Sequence, residues 1–196
     1  TYTYQNAKDD TITSLVSRAD TIAQLVDEKD LSSLVYSEQD LANPIYTKIK
    51  TQFINARMVN PDVRFIYIFV IEDGIMKFVV DSEPSDSDNY SPPGQEYEEA
   101  DQQPEILNVF TTGTSIVQDA YADRWGTWVT GLSPIKDANG KVKYVVGMDI
   151  NASSFTMKPY LEATFPSMLS LLLIALAFTV YAVSYTHLRA HETKAN

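Results

Sequence analysis

The chain has 196 residues, 44% of them apolar and 21% charged, enough for one ordinary domain with its own core and a short addition. Its 26 acidic against 15 basic residues give a net charge of −11; so acidic a surface repels phosphate backbones, which excludes nucleic acid as a partner. It has no cysteine, which excludes a disulfide framework, a thiolate metal site and cysteine chemistry.

Ile12, Leu15, Val16, Ala19, Ile22, Ala23 and Val26 recur in steps of three and four and predict an amphipathic helix over 9–28. Its stripe can serve both a sheet and a second copy of the chain, so a homodimer through this helix is expected. A second helix is expected over 39–59, with Leu41, Ile45, Ile49, Phe53 and Ala56 on one face and Pro44 in its first turn. Asn60-Pro61-Asp62 ends it.

Arg64 to Ile71 is β-branched and aromatic, and Glu72-Asp73-Gly74 leads into Ile75 to Asp81, a hairpin pattern. Residues 82–105 have no periodicity. Residues 81–105 hold nine acids and no base, and their spacing fails the calcium-loop pattern, so a solvated lid is expected there. A short helix over 104–111 and a short strand from Ser115 to Gln118 follow. Thr127 to Ile135, the turn Asp137-Ala138-Asn139-Gly140 and Lys141 to Ile150 make a second hairpin. Asn151 is placed to cap a last helix. This order implies an α+β architecture: an antiparallel sheet with segregated helices.

From Ala163 to Thr186 there is no formal charge, and Met168 to Val183 reads MLSLLLIALAFTVYAV. About 20 apolar helical residues cross a bilayer, so residues 163–185 are expected to be a transmembrane helix. Arg189 and Lys194 follow it, whereas residues 1–162 hold 25 acids against 13 bases. The expected topology puts residues 1–162 outside the cytoplasm of a bacterial cell membrane and the C-terminus inside. Export of so large a domain needs an earlier signal or span, and the chain opens at Thr1 in a polar helix, so a fragment of a longer chain is expected. The tail, Ser184 to Asn196, is similar to translated sequencing-adapter read-through; residues 186–196 are set apart as foreign, and His187 and His191 are not taken as metal ligands. Both histidines lie there, and no serine sits in a Gly-x-Ser-x-Gly turn. No enzymatic activity, metal or cofactor is expected.

Tyr121-Ala-Asp123-Arg-Trp125-Gly126-Thr-Trp128, then Ser133-Pro134-Ile135, Asp137-x-x-Gly140 and Val146-Gly147-Met-Asp149-Ile150 are similar, as an ordered set, to Cache domains. The loop Tyr90-Ser-Pro92-Pro93-Gly94 and Tyr97 resemble members on histidine kinases and diguanylate cyclases. The match covers roughly residues 60–152. The resemblance implies a PAS-like antiparallel sheet behind a long N-terminal helix, with one transmembrane helix after it. It divides the chain into an N-terminal helical part (1–60), the sheet domain (61–158), the span (163–185) and the tail. It also implies an extracytoplasmic ligand sensor of a transmembrane receptor, whose cytoplasmic output module (kinase, diguanylate cyclase or chemoreceptor type) lies outside this sequence.

Small-molecule pockets are mostly apolar with a few convergent polar groups, and Tyr67, Phe69, Asp81, Tyr121, Arg124, Trp128, Thr130 and Asp149 supply both kinds. Arg124 can clasp a carboxylate through two parallel hydrogen bonds. In amino-acid-binding Cache domains the aspartate of a Gly-x-Asp step pairs with the ligand amine, and Asp149 matches that position. An amino acid is therefore the expected ligand, a plain carboxylate the second. Strand alternation puts Trp128, Thr130 and Leu132 on one face and Thr127, Val129 and Gly131 on the other, and the Trp128 set is expected to face the pocket. Two other readings stand beside this one. Trp125 and Trp128 can serve sheet-to-helix packing and Asp149 can cap a turn; or the domain can be a protein-interaction module with Trp128, Thr130 and Asp149 closed in its core.

Overall fold

The computed structural model describes the backbone of residues 2–192 and the side chains of all but 2–4, 7, 154, 156–159, 162, 163 and 186–192. The histidines and the tail expected to be foreign lie outside the described side chains. The order is α1 (Tyr2–Leu25), α2 (Glu28–Ser32), a 3-10 turn (Glu38–Ala42), α3 (Pro44–Met58), β1 (Val63–Glu72) and β2 (Ile75–Asp81). A second 3-10 turn (Ala100–Gln102), α4 (Pro104–Thr112), β3 (Ile116–Asp123), β4 (Gly126–Lys136), β5 (Val142–Asn151) and α5 (Ala152–Glu192) follow.

Local chemistry sets the boundaries. Asn43 caps α3 by accepting from the Ile45 N–H at 2.9 Å, and Pro44 opens the helix where its missing N–H costs nothing. The 39–59 helix of the sequence reading therefore divides at this cap, its first part becoming the 3-10 turn. Asp73 and Gly74 both take positive φ, 52° and 81°, as the two-residue β1–β2 turn demands. Asp137 accepts from the N–H groups of Asn139 and Lys141 and closes the β4–β5 turn.

The five strands form one antiparallel sheet in the order β2-β1-β5-β4-β3. Strand alternation divides the buried residues into two cores. Ile66, Ile68 and Val70 of β1, Val129 of β4 and Val146, Met148 and Ile150 of β5 pack against Leu15, Ala19 and Ile22 of α1 and Tyr46, Ile49 and Phe53 of α3. The helical N-terminal part thus shares a core with the sheet, and the α1 stripe is occupied by it.

The opposite face carries Phe65, Tyr67 and Phe69 of β1, Phe78 of β2, Trp128 and Leu132 of β4 and Val145 of β5, covered by Ile106 and Val109 of α4 and by Tyr97. A bulge between Ile68 and Phe69 of β1, opposite Val79, puts both Val79 and Val80 on the helix side.

Residues 81–105, expected as a solvated lid, are solvated only in part: Asp86, Asp88, Glu96, Glu98, Asp101 and Glu105 are exposed, whereas Asp81 and Glu83 are buried. Glu83 and Ser91 are each 2% exposed. Burying an unpaired carboxylate is costly, and here the partners come from α3 and β1. Arg57 Nη1 donates to Glu83 Oε1, while Arg64 reaches both carboxylate oxygens at 2.5 and 3.1 Å. Burial raises the Glu83 carboxyl, but hydrogen bonds from Arg64, Ser87 and Arg57 outweigh it and hold it at about 2.

The last strand passes into α5 without a linker. Asn151 ends β5 and accepts from the Ser153 N–H at 2.9 Å. Lys8 of α1 lies 5.7 Å from the Phe155 ring at the start of α5. Farther on, Thr164–Tyr185 has a mean hydropathy of 2.1 and is not buried among the described residues, a helix long and apolar enough to cross a bilayer.

Candidate ligand-binding site

The second core encloses a cavity lined by Phe65, Tyr67, Phe69, Phe78, Asp81, Asn89, Ser91, Tyr97, Asp123, Trp125 and Asp149. Six of these are aromatic, three are carboxylates and none is basic. The open space at its centre is about 20 Å³, room for roughly one water. The rings are held by one another: Phe69 lies 4.7 Å from Phe78 and 4.9 Å from Tyr97, and Trp125 stacks on Tyr97 at 6.3 Å.

Asp149 sits at the floor on β5 and is 3% exposed. Tyr67 Oη donates to its Oδ1 at 3.0 Å and Thr130 Oγ1 to the same oxygen at 2.5 Å. Having spent its proton there, Thr130 accepts from Tyr121 Oη at 3.1 Å. Asp149 Oδ2 has no hydrogen-bond partner among the described residues. Burial pushes the Asp149 carboxyl up to about 7, although the Thr130 and Tyr67 hydrogen bonds act in the opposite sense and nearby Asp123 and Asp81 add to the rise.

The other two carboxylates are braced differently. Asp81 accepts from the Glu83 N–H at 3.0 Å through Oδ1 and from the Ser91 N–H at 2.8 Å through Oδ2, so both oxygens are used. Burial raises it to about 6. Asp123 accepts from Trp125 N, Gly126 N and Trp128 Nε1 at 2.9, 3.1 and 3.0 Å, all on Oδ1. Its Oδ2 has no hydrogen-bond partner among the described residues, and burial raises this carboxyl too.

Of the eight residues singled out in the sequence, Tyr67, Phe69, Asp81 and Asp149 line the cavity. Thr130 and Tyr121 form the hydrogen-bonded chain behind Asp149. Trp128 is buried beside it, edge-on to Phe65 at 5.0 Å. Arg124 is elsewhere. It occupies the exposed two-residue tip of the β3–β4 hairpin, where its guanidinium grips Glu99 at 2.7 and 2.9 Å and Glu98 at 3.1 Å and lies over Trp125.

Phe65 and Phe78 share the sheet face of Tyr67, and alternation applied to β1 and β2 as it was to β4 would have found them. Asp123 required the strand β3 to run on past Gln118, which a bulge between Gln118 and Tyr121 permits. Asn89, Ser91 and Tyr97 come from the aperiodic segment and carried no such signal.

No protein-family model matches the chain. A probable methyl-accepting chemotaxis protein of Bacillus thuringiensis subsp. konkukian is 39% identical over 62 residues, 31% of this chain and 11% of that protein. Among solved structures, the periplasmic sensory domain of the Campylobacter jejuni chemoreceptor Tlp1 superposes with a TM-score of 0.50 at 13% identity, covering 79% of this chain and 59% of that one. The E. coli DcuS sensor domain gives a TM-score of 0.49 at 18% identity, covering 78% of this chain and 96% of that one. The ligand-binding domain of the Campylobacter jejuni chemoreceptor Tlp3 in complex with L-valine gives 0.44 at 16% identity, with 81% and 66% covered. At these identities the likeness is one of fold: the chain shares the fold of the Tlp1 periplasmic sensory domain, an antiparallel sheet behind a long N-terminal helix.

Proposed function

We propose that the domain is the extracytoplasmic small-molecule sensor of a bacterial transmembrane receptor. The observation that carries this reading is the aromatic cavity with a buried, half-partnered Asp149 on its floor, two residues from the end of the strand that becomes the apolar helix. Buried carboxylates with raised pKa and no basic partner cost stability, and such groups concentrate at functional sites.

In this reading residues 1–60 and 61–158 form the sensor, residues 163–185 cross the bilayer, and residues 1–162 lie outside the cytoplasm. α1 supplies a homodimer contact, its apolar stripe serving both the sheet and a second copy. The cytoplasmic output, and with it any catalysis, belongs to other parts of the receptor. A ligand larger than water must widen the cavity, and the segment that supplies Asn89, Ser91 and Tyr97 is its non-strand wall. Binding would favour the widened state in proportion to its differential affinity for the two states. The strand-to-helix junction at Asn151 would pass the change to the membrane.

A thermal-shift screen of the whole chain in nanodiscs, against amino acids, organic acids and amines, tests this. A ligand at about a hundred times its Kd adds about 2.7 kcal/mol, a rise of several degrees. No shift from any class, in a sample that melts cooperatively, overturns the reading and favours a protein-interaction module.

A further inference from the structure

The 20 Å³ at the centre of the cavity must be enlarged before a ligand fits, so the part of the wall that moves decides when the site is open. The wall segment is anchored at both ends. Beyond β2, Gly94 N donates to Phe78 O at 2.8 Å, Phe78 N to Gln95 O at 2.9 Å and Tyr97 N to Met76 O at 2.9 Å, so residues 94–97 are tied to the sheet edge. At the other end Glu83 is held by Arg57 and Arg64. Residues 84–93 form a flap between these anchors.

Asn89 and Ser91 are the parts of the flap that line the cavity, and the Ser91 N–H holds Asp81 Oδ2 at 2.8 Å. Tyr90, between them, leaves the cavity. Its hydroxyl shares a hydrogen bond of 2.7 Å with Tyr46 of α3, and Lys50 Nζ of the same helix lies 4.2 Å from the centre of its ring. Lys50 also donates to the carbonyl oxygens of Asp81, at 2.8 Å, and Glu83. This half-buried ammonium makes no ion pair among the described residues, so the ring face is part of what answers its charge. Tyr46 belongs to the core on the helix side of the sheet, so the contact passes round the edge strand β2 and ties the wall of one core to a helix of the other. Because residues 89–91 are consecutive, Asn89 and Ser91 cannot swing outward without drawing Tyr90 off Tyr46 and Lys50.

We propose that Tyr90 is the latch of the cavity: it holds residues 84–93 closed by gripping Tyr46 and Lys50, and the flap must release α3 to admit a ligand. This rests on the cavity being the sensor site. The latch lowers apparent affinity to the fraction of molecules in which it is open. It also gives α3 a ligand-dependent change that does not pass through β5.

The test is amide hydrogen exchange on the whole chain in nanodiscs, which needs no ligand, with Tyr46→Phe, Tyr90→Phe and the double variant. Each single variant removes one hydroxyl and keeps the ring. The Ser91 amide exchanges only when it leaves Asp81, so its rate reports the open flap. In the parent chain Ser91 is expected to exchange faster than Val146 at the centre of the sheet, the mark of local opening. Tyr46→Phe lies on α3 and outside the cavity lining, yet is expected to speed Ser91 about three- to tenfold, as is Tyr90→Phe, with no further gain in the double variant. Tyr36→Phe removes a hydroxyl from a different pair, Tyr36 and Tyr144 at 2.7 Å, and is expected to leave Ser91 unchanged. An unchanged Ser91 rate in Tyr46→Phe overturns the latch, because the flap then opens with the Tyr46–Tyr90 bond intact. Additive gains in the double variant, a parent Ser91 rate equal to that of Val146, or acceleration in Tyr36→Phe overturn it too. Each of these outcomes leaves the sensor reading standing, which falls only on silence in the thermal-shift screen.

Discussion

The ring of Tyr67 lies flat across Gly147, its register partner on β5: a Cβ on Gly147 would stand 2.2 Å from Tyr67 Cε2. That contact sets where the phenol oxygen ends, at Asp149 Oδ1. The glycine two residues before the aspartate is therefore there for space, and the Gly147-x-Asp149 step builds the cavity floor.

Gly147→Ala is expected to push the Tyr67 ring off its seat and to destabilise the domain by about 2–3 kcal/mol, read as a lowered melting temperature. The variant is also expected to lose ligand response. Unchanged stability would mean that the ring has another place to go.

The pH dependence of Asp149 has a definite sign. Its carboxyl titrates near 7 when folded and near 3.8 ordinarily, so the folded state holds the proton more tightly. Stability contributed by this residue therefore falls as pH climbs between those values, and above 7 the full loss is about 4 kcal/mol. Its charged and titratable neighbours, Asp123, Asp81, Tyr67, Tyr121 and Tyr97, supply no base to relieve it. Asp149→Asn is expected to melt above the parent chain at about pH 8, with the gap narrowing toward about pH 4. A variant melting below the parent at high pH would contradict the assignment.

Glu83 behaves in the opposite sense. Its carboxyl is held at about 2 against an ordinary 4.5, so its contribution is complete above 4.5 and is lost only as pH falls through about 2. Glu83→Gln leaves Arg57 and Arg64 facing an amide and is expected to cost about 3 kcal/mol in chemical denaturation. It should also loosen the 82–91 segment, read as faster amide exchange at Ser91.

Arg124→Ala should leave ligand affinity unchanged and cost less than about 1 kcal/mol, since its ion pairs are exposed. Loss of binding in this variant would require the guanidinium to leave Glu99 and turn inward.

The elements with local causes were legible in the sequence. Asp73-Gly74 takes the positive-φ turn its residue types announce, and alternation separated Trp128 and Thr130 from Val129 and Gly131. The bulges at Val79 and beyond Gln118 were not legible, because each depends on what the neighbouring strand buries. Nor was the burial of Glu83, whose partners Arg57 and Arg64 lie 26 and 19 residues away and leave no period. The same holds for Arg124: a free arginine by its sequence, it is claimed by Glu99, 25 residues earlier.

The chain has only two tryptophans, and both belong to this one corner. Trp125 lines the cavity against Tyr97 and Phe78, and Trp128 donates its indole N–H to Asp123. Intrinsic indole fluorescence of the unlabelled protein is therefore a signal from the cavity alone, undiluted by emitters in α1, α3 or the apolar helix. Occupancy of the cavity can be followed optically, with no dye and no substitution.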